Sequence, residues 1–244
     1  MISEKYKNCS LCPRRCGVDR TKAVGFCRQS DKIRIARADL HMWEEPCISG
    51  TEGSGAVFFS GCTLKCCFCQ NFEISQQYKG CEITEHELAD IFLKLQDKGA
   101  NNINLVSPTQ FLPGIIMALD IARPSLNIPV VYNCGGYESL ETIDMLNGYI
   151  DIYLPDLKYF DAEYALKYSG ANGYFETAMA AIKHMQAQVG KPCYDDRGIM
   201  KSGVIVRHLT LPTLRHDSEK LLYALRDNFE PDDIVLSLMS HYVP

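Results

Sequence analysis

The rhythm of apolar and polar positions changes near residue 55. Residues 1–50 interleave Cys, Arg, Pro and Gly with little apolar periodicity, whereas from Gly55 onward short β-branched or apolar runs alternate with amphipathic helical windows. That alternation is the pattern of parallel βα units. The first run, Ala56-Val-Phe-Phe59, reads as a strand. Thr84-x-x-Glu87 then reads as a capping box for a helix with Leu88, Ile91, Phe92 and Leu95 on one core-facing stripe, stopped by Gly99. Further strands are expected at 102–106, 129–132, 150–154, 204–211 and 234–239, with helices at 112–122, 140–146, 161–189 and 216–228 between them.

Six strands fall short of the eight that close a full TIM barrel, so an open, partial (β/α)6 TIM-like barrel of the α/β class is the economical architecture. Residues 1–50 are expected to form a Cys-rich, mostly irregular N-terminal extension, and residues 51–244 the barrel. The sequence ends at His241-Tyr-Val-Pro244, soon after the sixth strand and with no final helix to cover it.

Composition narrows the function classes. The chain has 244 residues, 46% of them hydrophobic, enough to bury one large core. A net charge of -5 and a pI near 5.7 give no general pull toward phosphate backbones, so nucleic acid is not an expected partner. The local basic group Arg14, Arg15, Arg20, Lys22 and Arg28 is expected to form a solvated face. No apolar run approaches the ~18 residues of a membrane span, and the N-terminus shows no secretory pattern, so a cytoplasmic protein is expected. In a reducing compartment, 12 clustered cysteines favour metals over disulfides.

The strongest chemical signal follows the first strand: Cys62-Thr-Leu-Lys-Cys66-Cys67-Phe-Cys69-Gln-Asn71. A 4Fe-4S cluster takes one cysteine per iron, so a C-x3-C-x2-C triplet at Cys62, Cys66 and Cys69 leaves one iron able to bind an exogenous ligand. Zinc knuckles build instead from C-x2-C halves. Cys67 is expected to be a buried small hydrophobe, because adjacent cysteines point in divergent directions. The spacing, the aromatic Phe68 and the trailing Gln70-Asn71 resemble the signature of the radical S-adenosylmethionine (SAM) enzymes. That resemblance implies the same partial barrel with the cysteine loop after its first strand.

Ligands of parallel βα folds bind at the carboxyl ends of the strands, where the loops converge. The candidate cofactor-binding residues Ser107, Thr109, Asn133, Asp156, Lys158 and Arg207 lie at or near those ends. Ser107-Pro-Thr109 stands where radical SAM proteins commonly carry a glycine-rich turn; a backbone carbonyl or the Thr109 hydroxyl there could accept from the SAM ammonium. Asp156-Leu-Lys158 resembles the DLK element of the pyruvate formate-lyase activating enzymes, which implies an aspartate near the SAM carboxylate and a bound cation; Asn133 replaces an aspartate of that pattern. Arg207 sits in an apolar run, where its guanidinium needs either the SAM carboxylate or a structural acid. His208 reads as a packed histidine.

Cys9, Cys12, Cys16 and Cys27 form a C-x2-C-x3-C-x10-C set that could hold a second iron-sulfur cluster, a zinc ion, or no metal. Together with Trp43-Glu-Glu-Pro-Cys47 through Gly55, these cysteines resemble the pyruvate formate-lyase-activating-enzyme-related branch. The resemblance implies reductive cleavage of SAM to a 5'-deoxyadenosyl radical, a flavodoxin or ferredoxin as reductant, and a glycyl-radical protein as substrate. Hydrogen abstraction from a small molecule or another peptide site is the alternative among enzymes, and a non-catalytic iron-sulfur or zinc protein is the alternative outside them.

Overall fold

The computed structural model describes residues 2–240. The strands are β1 (Ile33–His41), β2 (Ser54–Phe59), β3 (Cys81–Ile83), β4 (Ile103–Val106), β5 (Val130–Cys134), β6 (Ile152–Pro155), β7 (Cys193–Tyr194), β8 (Met200–Leu209) and β9 (Val235–Met239). The α-helices are α1 (Pro46–Ser49), α2 (Phe72–Ser75), α3 (Glu85–Asp97), α4 (Leu112–Ala122), α5 (Leu140–Met145), α6 (Ala162–Ser169), α7 (Tyr174–Val189) and α8 (Arg215–Asn228). Six strands run parallel in the order β2, β4, β5, β6, β8, β9, and the sheet does not close on itself. The fold is therefore the α/β, open partial barrel that the alternating pattern predicts.

The expected capping box is present: the Thr84 hydroxyl accepts from the Glu87 amide, and the Glu87 carboxylate accepts from the Thr84 amide. Leu88, Phe92 and Leu95 are buried on the core side of α3, and Ile91 is half-buried. The single helix expected over 161–189 is instead two. α6 ends at Gly170 and α7 begins after Gly173, both in left-handed backbone that glycine adopts without strain. Three strands escape the sequence pattern. β1 pairs antiparallel with β2 and β3, and β7 pairs antiparallel with β8.

Alternation along the parallel strands sorts side chains into two cores. Outward residues such as Val57, Leu105, Tyr132, Tyr153 and Val206 pack beneath the helices. Inward residues Val131, Ile152, Leu154 and Ile205 fill the barrel, and Ile48 of α1 joins them. The segment after β1 therefore enters the barrel from the amino ends of the strands. It is fixed there by Asn101 and Asn102, whose side-chain amides donate to the Ser49 and Ile48 carbonyls, each at 2.7 Å. On β9, Leu236 and Leu238 are exposed; His241–Pro244, which follow, lie outside the described residues.

Candidate cluster and cofactor site

The chain leaves β2 at Phe59, turns at Gly61 and enters the cysteine loop at the carboxyl end of the barrel. The loop is sewn to the end of α6: Lys65 and Cys67 amides donate to the Ser169 and Tyr168 carbonyls at 3.0 and 2.9 Å. Gln76 of the following turn donates to the Cys66 carbonyl at 3.0 Å. The three thiols of Cys62, Cys66 and Cys69 are partly shielded and packed close enough to act on one another electrostatically.

Burial pushes the Cys62 thiol up to about 12 and raises that of Cys66. Such thiols ionise when a cation compensates them, as a bound metal does. Donors are already placed for the ionised form. The Ser169 hydroxyl donates to Cys66 Sγ at 2.9 Å, the Leu64 amide lies 3.4 Å from Cys62 Sγ, and Ser75 Oγ lies 3.3 Å from Cys69 Sγ. Among the described residues no three His, Cys, Asp or Glu donors converge to cage a single ion. A cluster does not require that convergence, since each thiolate takes its own iron. The triplet fits a 4Fe-4S cluster. Cys67 is exposed, which corrects the expectation of a buried hydrophobe: its side chain turns outward while its neighbour Cys66 packs against the core.

Beside the loop, Asp156, Lys158, Arg207 and Asn133 form one connected network. Lys158 Nζ donates to Asp156 Oδ2 at 2.7 Å, Arg207 Nε to Asp156 Oδ1 at 3.1 Å, and an Arg207 terminal nitrogen to Asn133 Oδ1 at 2.7 Å. Burial alone would raise the Asp156 carboxyl, but the Lys158 and Arg207 cations outweigh it and hold the group below its ordinary value. Lys158 also stands 6.0 Å from the centroid of the Phe68 ring, beside Cys69 in sequence.

Two acidic residues escaped the sequence reading. Glu44, on the segment entering the barrel, accepts from Asn104 at 3.0 Å and Asn133 at 3.2 Å, and lies 3.8 Å from Arg207. Arg207 thus has structural acids on two sides, one from β6's end and one from the N-terminal segment. Glu138 is buried beneath Thr109 and Tyr132, whose hydroxyls donate to it at 2.9 and 3.2 Å; burial pushes its carboxyl up to about 8. The Thr109 hydroxyl is therefore engaged within the protein. Ser107 is half-buried, and its carbonyl accepts from Gln110 at 2.9 Å.

The strand ends carrying these groups are held closely. At Gly136, φ is +77° and a Cβ would lie 2.0 Å from the Asp156 carbonyl, so only glycine fits. The Tyr174 hydroxyl donates toward the Gly135 and Asp156 carbonyls at 2.8 and 2.9 Å and accepts from the Lys158 amide at 3.0 Å. His208 is packed as expected, between the Leu157 carbonyl at 2.7 Å and Ser218 Oγ at 2.9 Å. The four N-terminal cysteines line one small pocket with Arg20. Arg20 is only 1% exposed, so the expected solvated basic face does not hold for it; its guanidinium is drawn inward by backbone carbonyls.

The model of the radical SAM superfamily matches residues 56–196, more than half of the chain. The chain belongs to the radical SAM superfamily. An uncharacterised protein of Methanocaldococcus jannaschii is 32% identical over 249 residues, spanning 98% of this chain and 67% of that protein. Among solved structures, Streptococcus suis SuiB bound to S-adenosylmethionine superposes with a TM-score of 0.53 at 15% identity, over 75% of this chain and 39% of SuiB. The radical SAM methyltransferase TsrM of Kitasatospora setae, with cobalamin and a 4Fe-4S cluster bound, superposes with a TM-score of 0.50 at 14% identity, over 76% of this chain and 36% of TsrM. At these identities the superpositions establish the shared fold, and the chain spans less than half of either structure. No helix among the described residues is long and apolar enough to cross a membrane.

Proposed function

We propose that Cys62, Cys66 and Cys69 hold a 4Fe-4S cluster whose fourth iron is left for S-adenosylmethionine, and that the chain catalyses radical chemistry at the carboxyl mouth of the barrel. The observation that carries this reading is the triplet itself: three shielded thiols on the loop after the first parallel strand, with hydrogen-bond donors in place. Cys62, Cys66 and Cys69 would hold that cluster, and with a flavodoxin or ferredoxin as reductant it would supply the electron for reductive cleavage of SAM to methionine and a hydrogen-abstracting 5'-deoxyadenosyl radical.

The protein's own groups orient and shield. Asp156, held ionised by Lys158 and Arg207, sets a polar wall beside the triplet, and Lys158 and Arg207 are the cations within reach of a cofactor carboxylate. Asn133 and the Ser107 carbonyl complete the strand-end positions beside that network, whereas the Thr109 hydroxyl is committed to Glu138. The apolar barrel interior below, closed by Ile48, excludes water from that side.

For the hydrogen donor, the resemblance to the pyruvate formate-lyase-activating-enzyme-related branch makes a glycine Cα–H on a partner polypeptide the first reading. A different peptide site is the second, favoured by the neighbour SuiB bound to its precursor peptide SuiA. The test is anaerobic reconstitution with iron and sulfide, reduction, and measurement of 5'-deoxyadenosine with candidate glycyl-radical proteins and peptides. An organic radical in the partner supports the first reading, a modified peptide without one supports the second, and failure to bind SAM at all overturns both.

A further inference from the structure

Arg20 is the largest fully buried side chain of the described residues and carries a full positive charge at 1% exposure. Its guanidinium donates to the backbone carbonyls of Gln29 at 3.1 Å, Gln110 at 2.6 Å and Ser30. Among the described residues no carboxylate pairs with it. Carbonyls satisfy the donors but leave the charge uncompensated, and a buried charge is stable only when paired or coordinated. Its other contacts are the Tyr6 ring, with the guanidinium carbon 4.9 Å from the centroid, the Phe111 ring at 6.0 Å, and Cys9 Sγ, 3.8 Å from a terminal nitrogen; the rings attract the charge but carry no countercharge.

Arg20 lines the same pocket as Cys9, Cys12, Cys16 and Cys27. The chain folds tightly around those sulfurs. A Cβ on Gly25 would lie 3.3 Å from Cys16 Sγ and 3.7 Å from Cys27 Sγ. The pocket also abuts the barrel's cysteine loop: Thr63 lines it, Arg14 donates to the Thr63 carbonyl at 2.9 Å, and a Cβ on Gly61 would come within 2.7 Å of the Cys27 carbonyl.

We propose that Cys9, Cys12, Cys16 and Cys27 bind a second metal centre as thiolates, and that its net negative charge is the counterion of buried Arg20. Four thiolates around a divalent ion or a doubly charged iron-sulfur core carry excess negative charge, which supplies what the carbonyls do not. A zinc ion or an iron-sulfur cluster would each supply that charge, and the metal count below separates them. The centre would clamp the N-terminal segment, whose own core is only Tyr6, Cys9 and Leu11, onto the cysteine loop.

The test separates this site from the barrel triplet. The full-length chain carrying Cys62→Ala, Cys66→Ala and Cys69→Ala is purified anaerobically, and its iron, sulfide and zinc are counted. The proposal predicts retained metal in this variant, with iron and sulfide together marking a cluster and zinc alone marking a mononuclear site. A folded variant, judged by circular dichroism, that holds neither metal after iron-sulfide reconstitution or zinc addition overturns it. Should that variant fail to fold, the wild-type chain decides: iron for one cluster only and no zinc overturns the proposal, and any further metal supports it. Because triplet loss is built into the first variant, this outcome is independent of whether the chain cleaves SAM.

Discussion

Arg207 donates to Asp156 at 3.1 Å, joining β8 to the end of β6 inside the barrel. The pair is shielded, with side chains each 17% exposed, and it anchors Lys158 beside the cysteine loop. Removing Asp156 leaves Lys158 without its carboxylate and Arg207 with Glu44 alone, 3.8 Å away. Asp156→Asn is expected to destabilise the fold by about 3–5 kcal/mol, and to weaken SAM binding beyond what unfolding explains. Urea denaturation together with equilibrium SAM binding to reconstituted protein checks both; an unchanged midpoint with unchanged binding contradicts the assignment.

Glu44 ties the N-terminal segment to Asn104, Asn133 and Arg207. Glu44→Ala strips two hydrogen bonds from a charged acceptor and is expected to cost about 2–3 kcal/mol. Glu44→Gln should recover part of that loss because one oxygen acceptor survives. Comparing the two variants in denaturant melts tests the point, and equal loss in both would mean that charge alone matters.

Glu138 provides a pH signature. The folded chain keeps its proton up to about pH 8, whereas an unfolded glutamate releases it near ~4.3. Between those values the folded state binds more protons than the unfolded, so this group makes stability fall as pH rises, by up to about 1.4 kcal/mol per unit. Glu138→Gln should flatten the slope. Unfolding free energies measured from about pH 5 to about pH 8 decide it; identical slopes in variant and wild type would show that the carboxyl ionises normally.

At Gly136 the backbone is left-handed and a Cβ would collide with the Asp156 carbonyl. Gly136→Ala combines about 1–2 kcal/mol of backbone strain with that collision, for a total expected above about 2 kcal/mol. A smaller shift in thermal or denaturant midpoint would mean that the two strand ends can separate freely.

Much of this architecture was legible before the fold was known. Thr84 and Glu87 announced α3 because a capping box is local chemistry, and Cys62, Cys66 and Cys69 stand out as a candidate site because three thiols on one loop need only sequence spacing. What stayed hidden depends on tertiary contact. β1 changes phase at an irregularity between Ile35 and Arg37, burying Ile33 and Ile35 before it and packing Ala38 and Leu40 against the core after it, so no single period runs through the strand. Glu44 reads as an ordinary surface acid beside Trp43, which is indeed 88% exposed, and only the fold brings it against Arg207. Arg20 looks like one of several solvated cations until the N-terminal segment closes over it.

The most direct test of the central claim is the spin-resonance spectrum of anaerobically purified, reduced protein, recorded with and without SAM. A 4Fe-4S signal that changes on adding SAM, and that disappears in Cys62→Ala, is the predicted result. A loop without iron, or a cluster signal that SAM leaves unaltered, would contradict it.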